Sequence, residues 1–334
     1  MNKYILEKVL ARYLEFMLLA VLGILAGYNI LYETTDSVVY MGHYNSVSWD
    51  SIFGNGVNFE PFYKLLVSFS ALILNIEYQL FASLLVFVAL SIKFYLFSNR
   101  YNSIYLKIAY VLTLYPFYES LRIRAALGIA LVFLALELRH KKYTSLTLVL
   151  MGVFTHYSLI FFLLFWLHYN YFNNLKNIKK LIKIAVVLGI VFTLGFSYFV
   201  QFIDYFDQRL LTYIIDDKGY INIWILPKYL LMLLLSYYMI FNQPKNINLH
   251  NTYNIYIFIG TIFLGLSILT FKINLLSLNL LDIGMFSYLL IATNSLLYNK
   301  ELIRFLFILL ILLEVLFRIF QLPVLIIALV RGGT

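Results

Sequence analysis

Two arginines, Arg122 and Arg124, sit in the stretch Glu119-Ser120-Leu121-Arg122-Ile123-Arg124, with long apolar runs on either side. A guanidinium keeps its charge and offers a planar fork that matches phosphate oxygens. Charge beside an apolar core is costly, so it usually serves a site or a pathway. The bland alternative is that both arginines snorkel to lipid phosphates. On a helix, side chains two residues apart diverge by about 200°, so at most one of the pair enters a given cavity. His156 lies in Phe154-Thr155-His156-Tyr157-Ser158, and an imidazole titrates near neutrality and can take a proton from a hydroxyl. Arg209 and Tyr213 are one helical turn apart and could clasp a phosphate together or simply stack. Glu60, Glu119 and Asp36 are the carboxylates that could act beside them, and Lys272 is one further cation. Asp216 and Asp217 could bind a divalent cation, but no D-x-D accompanies them, so a solvated loop is the better reading and no metal ligand set is assigned.

The elements that must position these groups are membrane helices. Of 334 residues, 63% are hydrophobic and 12% charged, with a mean hydropathy of +0.86. Soluble domains are about 45–50% apolar and about 25% charged, so the composition calls for a bilayer as solvent. The absence of cysteine excludes disulfides and thiol catalysis. The net charge of +9 does not point to nucleic acid, because the basic residues punctuate apolar runs as orienting loops do. Apolar candidates lie at 13–31, 61–75, 78–97, 104–118, 121–138, 143–156, 158–172, 181–203, 221–241, 252–271, 281–297 and 302–330. The last is long enough to hold a break at Pro323. The expected fold is one all-α polytopic integral membrane domain spanning 1–334, with about 11–12 membrane helices.

Orientation follows from charge. Lys3, Lys8 and Arg12, the run Arg139-His140-Lys141-Lys142, and Lys176, Lys179, Lys180 and Lys183 mark the cytoplasmic face. The stretch 32–60 contains Glu33, Asp36, Asp50 and Glu60 and no lysine or arginine, so it faces outward. The turns 119–124, 156–158, 204–220 and 272–280 then fall on the same outer rim. An odd number of crossings must separate 32–60 from the inner turn near Arg100, yet two apolar segments lie between them. The first, 61–75, starts at Pro61 and contains Lys64, and it is expected to be re-entrant or half-length beside a cavity that opens outward. The outer loops 32–60 and 204–220 are expected to contribute to that cavity. Gly23 and Gly27 form a GxxxG that suits ordinary helix packing. Glu137 and Glu314 are read as lying nearer helix ends.

Three stretches carry a resemblance. Asp36-Ser-Val-Val-Tyr40 followed by Glu60-Pro-Phe-Tyr63, then Ile123-Arg124-Ala-Ala-Leu127, then the basic turn Arg139–Lys142 with Phe154-Thr-His156-Tyr-Ser158, together resemble the Wzy / EpsG-like family of O-antigen and exopolysaccharide repeat-unit polymerases. Order and spacing agree over about residues 36–160. Ala125 stands where the family has Gln, and no arginine occurs around Asp282–Phe286, where Lys272 is the candidate replacement.

The resemblance implies transfer of a glycan from undecaprenyl pyrophosphate to the sugar of a second lipid-linked repeat, at the periplasmic face of a bacterial inner membrane. Pyrophosphate leaves without a proton but needs its growing charge neutralised. That role falls to Arg124, helped by Arg122 and Arg209. His156 is the leading general base, with Glu60, Glu119 or Asp36 as alternatives, and direct displacement would invert the anomeric carbon. Arg122, Arg209, Tyr213, Glu60, Asp36 and Lys272 are the expected substrate-binding residues, with no cofactor. The expected partners are the undecaprenyl-pyrophosphate-linked oligosaccharide, membrane lipids and a chain-length regulator protein. Competing readings are an O-antigen ligase or polyprenyl-phosphate glycosyltransferase, and a flippase or transporter without covalent chemistry. A ligase would show a larger outer loop than 204–220, and a transporter would show inverted repeats and midplane charges.

Overall fold

In the computed structural model the described residues are 3–28, 35–48, 59–98, 103–118, 122–168, 180, 225–241, 251–269, 274–292 and 301–332. All regular structure among them is helical. The chain divides into two compact units, residues 1–99 with 110–167, and residues 100–109 with 168–334.

The first unit is built on helix α1 (Lys3–Gly27) and helix α4 (Tyr78–Ser98). They pack antiparallel through the GxxxG. A Cβ on Gly23 would lie 2.9 Å from the Ser83 carbonyl oxygen, and one on Gly27 would lie 2.5 Å from that of Gln79. Phe16 meets Phe87 edge-on at 5.3 Å further along the pair. The motif therefore joins two helices of one chain. Because α1 ends where α4 begins, residues 28–77 leave and re-enter this pair at the same end.

That segment is helix α3 (Pro61–Ser68), continued by a π-helical turn at Phe69–Ile73. Pro61 occupies the first helical position, where its missing N–H costs nothing, and Glu60 before it is extended (φ −66°, ψ 146°) as a residue preceding proline should be. The widened turn and Asn75, left-handed at φ 50°, end the segment. Thirteen residues from Pro61 to Ile73 rise only about 20 Å, against about 30 Å of hydrocarbon. Both ends of the segment reach helix α2 (Thr35–Ser46), which the sequence had placed in a loop. Tyr40 packs on Tyr63 near the start, with ring centroids 5.9 Å apart. Beyond the end, the Tyr44 hydroxyl donates to the Ile76 carbonyl at 2.7 Å.

Helices α5 (Ser103–Thr113) and α6 (Tyr115–Tyr118) divide the expected span 104–118, and the Tyr115 hydroxyl donates to the Leu22 carbonyl of α1 at 2.6 Å. Helix α7 (Ile123–Glu137) and helix α8 (Lys142–Thr155) form a close hairpin. At its base the Ser145 hydroxyl donates to the Ala135 carbonyl and accepts from the Trp166 indole, each at 2.6 Å. A 3₁₀ turn (Tyr157–Leu159) then leads into helix α9 (Ile160–Leu167).

The second unit contains helices α10 (Ile225–Phe241), α11 (Asn251–Leu269), α12 (Asn274–Ala292) and α13 (Glu301–Gly332). α12 begins inside the stretch 272–280 that the sequence assigned to an outer loop. Gly284 on α12 lets that helix approach α11, since a Cβ there would lie 3.2 Å from the Gly260 carbonyl oxygen. The expected break at Pro323 does not occur, and α13 runs through it. Proline already has a helical φ, and in an apolar setting helix loses more by fraying than by one missing hydrogen bond.

Two described stretches, Val9–Gly27 and Tyr78–Ser98, are long and apolar enough to cross a membrane, and six shorter apolar helices accompany them. Leu10, Leu14, Leu18, Val21 and Ile24 all stand exposed along α1, and water could not solvate such a surface cheaply. This is a helical membrane protein.

Candidate active site

Three chain segments meet where α7 begins. Glu60 precedes α3, Arg124 is the second residue of α7, and His156 caps the C-terminal end of α8 in an extended conformation (φ −155°, ψ 106°). Glycine sets the approach of the last two. A Cβ on Gly128 would lie 3.1 Å from the Gly152 carbonyl oxygen, and one on Gly152 would lie 3.0 Å from that of Gly128. Arg124 is one helical turn before Gly128, and His156 is one turn after Gly152. The backbone contact therefore brings guanidinium and imidazole to the same end of the hairpin.

One carboxylate joins them. Arg124 Nη1 donates to Glu60 Oε2 in a close ion pair, and His156 Nδ1 lies 3.5 Å from Glu60 Oε1. The three side chains are 19%, 10% and 25% exposed for Arg124, Glu60 and His156, so the cluster is sheltered but reachable. The guanidinium carbon sits 4.6 Å from the Phe59 ring centroid, 4.9 Å from that of Tyr40 and 5.6 Å from that of Tyr63. Such contacts with aromatic faces hold an arginine in place while leaving its edge free for an anion. Burial alone would raise the Glu60 carboxyl. The hydrogen bond from His156 and the Arg124 charge outweigh burial and hold it below the ordinary carboxylate value, so it is ionised at neutral pH.

His43 of α2 stacks on the other ring in this group, Phe59, with centroids 4.5 Å apart. Burial, then the Lys64 and Arg124 charges, lower its pKa and keep it neutral. Three polar atoms here lack a hydrogen-bond partner among the described residues: His43 Nε2, the Tyr63 hydroxyl and Arg124 Nε. Buried polar groups are normally satisfied, so such a concentration fits a polar ligand.

The structure therefore brings Glu60, Arg124 and His156 together. It does not add Arg122, which is half-exposed at the N-cap of α7 and makes no side-chain pairing among the described residues. Arg122 stands before the helix with a non-helical backbone (φ −132°, ψ 54°), so the helical register that aims Arg124 does not carry it. Asp36 lies in α2 one turn before Tyr40, but its side chain falls outside the described residues, as do Glu119, Arg209, Tyr213 and Lys272 and the whole loop 204–220. Tyr40 and Tyr63 stood in the quoted motifs without a role. Phe59 and His43 gave no sequence signal beyond their proximity to Glu60 and Tyr40.

The profile of the EpsG family matches residues 14–327. The chain belongs to the EpsG family. No curated protein and no solved structure matches it. In EpsG-family terms the match covers the hairpin α7–α8, the segment around Glu60 and most of the second unit, so both units belong to one family pattern.

The second unit holds a separate charged cluster. Lys228 Nζ of α10 pairs closely with Glu314 of α13 and lies 3.6 Å from Asp282 Oδ1 of α12. All three side chains are almost wholly buried. The reading of Glu314 as a helix-end residue is corrected here: it lies well inside α13, kept there by its ammonium partner.

Proposed function

We propose that this EpsG-family protein is a polysaccharide repeat-unit polymerase. It transfers a glycan from undecaprenyl pyrophosphate to a second lipid-linked repeat at the periplasmic face of the bacterial inner membrane. The observation that carries the reading is the shared carboxylate: Glu60 holds a cation suited to pyrophosphate and a base suited to a hydroxyl within one sheltered cluster.

The acceptor hydroxyl oxygen bonds to the anomeric carbon as the bond from that carbon to the pyrophosphate oxygen breaks. The electron pair leaves on the lipid pyrophosphate, and direct displacement inverts the anomeric carbon. Arg124 neutralises the charge that grows on the leaving group, with its fork turned to oxygen and its faces against Phe59, Tyr40 and Tyr63. His156 receives the hydroxyl proton. With Nδ1 directed to Glu60, Nε2 is the nitrogen free to accept it, a tautomer set by the carboxylate. A contact of 3.5 Å before substrate arrives leaves room for this hydrogen bond to tighten in the loaded state.

The test uses purified protein and purified lipid-linked repeat units, read as a ladder of products. Arg124→Lys keeps a charge but loses the planar fork. Loss of one preorganised donor costs about 10²–10³ in rate, so long products should disappear while protein level holds. A normal ladder from Arg124→Lys and Arg124→Ala would overturn the role of Arg124, and no ladder from the unaltered protein would overturn the polymerase reading. Release of lipid pyrophosphate without chain growth would favour another lipid-dependent glycosyltransferase or a ligase.

A further inference from the structure

A cavity of about 330 Å³ opens between the end of α2, the end of the short helical segment and the start of α4. Tyr44, Asn45, Asn75, Glu77, Tyr78 and Gln79 supply its polar wall. It lies one turn along α2 from Tyr40, which packs against Arg124, and a row of rings connects the two places. Tyr44 meets Phe81 at 5.1 Å, Phe81 meets Tyr63 at 6.2 Å, and Tyr63 meets Tyr40 at 5.9 Å.

The wall selects the chemistry of its occupant. Among the described residues no lysine or arginine lines the cavity, and the one charged group there, Glu77, is an acid, so an anion such as phosphate is disfavoured. Three side-chain amides and a carboxylate make it a poor seat for an acyl chain. Amides and a carboxylate offer paired donors and acceptors, and tyrosine edges add apolar contact with a polar tip. That combination suits a neutral polyhydroxylated ring. Asn75 lines the cavity at φ 50°, a conformation asparagine tolerates and most residues do not, and it is exposed there.

We propose that this cavity is a neutral-sugar subsite that holds a ring of the glycan chain while the reacting end lies at Arg124. The inference rests on the polymerase reading and deepens it. The geometry gives the short segment a purpose: its start presents Glu60 to the charge cluster, and its end, through Asn75, presents an amide to the sugar.

Saturation-transfer NMR on the full-length protein in detergent provides the test, with the methyl β-glycosides of glucose, galactose and N-acetylglucosamine as probes and inorganic phosphate as competitor. At least one glycoside should bind. The double variant Asn75→Gly/Gln79→Ala should weaken that binding at least ten-fold. Glycine keeps the left-handed turn while removing the amide. Asn45→Ala, an exposed change on α2, should weaken it too and guards against a folding defect in the double variant. With lipid-linked repeats the double variant should raise KM more than it lowers kcat and should shorten the ladder. No glycoside binding to the unaltered protein, binding indifferent to these variants, or displacement by phosphate would overturn the subsite. No ladder from the unaltered protein would instead sink the polymerase reading, so the two failures are distinguishable.

Discussion

Replacing Glu60 by Gln asks whether one carboxylate really organises the cluster. The amide keeps the shape and one acceptor but removes the charge between Arg124 and His156. At an effective dielectric of about 20, two unit charges about 4 Å apart attract by roughly 4 kcal/mol. Arg124 retains some solvent contact, which screens part of that. The glutamine carbonyl recovers a neutral hydrogen bond of about 1 kcal/mol. The net cost is therefore about 2–3 kcal/mol, or a Tm lower by about 4–12 °C for a unit of this size. Thermal unfolding in detergent measures it. The pH dependence has a definite sign. Glu60 titrates below its ordinary value of 4.5 in the fold, so its contribution is complete above that value and disappears as pH falls through the lowered one. The gap between Glu60→Gln and the unaltered protein should be constant above about pH 4.5 and should close below it. On the proposed function the same change should lower the rate of chain growth about 10²-fold, because His156 loses its orienting acceptor and Arg124 its anchor. In a double-mutant cycle with Arg124→Met, the pair should cost clearly less than the two single changes added together. A melting curve and ladder both unchanged by Glu60→Gln would refute the reasoning outright.

Gly27→Leu should separate α1 from α4, because the new Cβ meets the Gln79 and Ser83 backbone at 2.5 Å in addition to the Ser83 hydroxyl, and backbone cannot swing aside. Loss of folded protein in a fluorescence size-exclusion assay is the expected result, and wild-type behaviour would contradict the packing. Lys228→Met strands Asp282 and Glu314 together and should cost about 3–5 kcal/mol. Adding Asp282→Asn and Glu314→Gln should restore much of it, as melting would show. His43→Phe keeps a ring on Phe59 and removes a group that the fold prefers neutral. The His43 pKa is lowered below 6.5, so native His43 is silent above that value and destabilising as pH falls beneath it. The variant should therefore melt with less acid sensitivity than the unaltered protein as pH falls below about 6.5, and equal slopes would exclude this role.

What could be read in the sequence was whatever charge makes expensive. Arg124 stands out because an arginine on that rim needs a reason, and Glu60 because it closes a loop with acids and no bases. Crossing parity singled out the segment 61–75 from the signs of its neighbouring loops, and the pairing of Gly27 with Gln79 puts the end of α1 beside the start of α4. Charge bookkeeping could not find α2. Thr35–Ser46 has neither an apolar stripe nor the length to span, so its helix owes its existence to tertiary contacts by Tyr40, His43 and Tyr44. Lys228 was missed for a related reason. It stands three residues into a helix, where a lysine passes for a snorkelling terminus, and both its carboxylate partners lie on helices far along the chain.

The aromatic residues show where that kind of reading stops. With 59 tyrosines and phenylalanines in the chain, a ring beside an arginine carries almost no information in sequence, since most such rings face lipid or pack a core. Phe59, Tyr40 and Tyr63 acquire meaning only once Arg124 is seen against all three. Their placement also explains how a guanidinium can remain charged in a sheltered pocket with one carboxylate beside it among the described residues. The faces of Phe59 and Tyr63 stabilise the cation without consuming its N–H donors, Tyr40 adds a hydrogen bond, and Arg124 Nε still lacks a partner among the described residues. A cage of two or three carboxylates would hold the arginine more firmly and would repel a pyrophosphate. One acid and three rings leave the cation held in place, with donor capacity to spare for an anion.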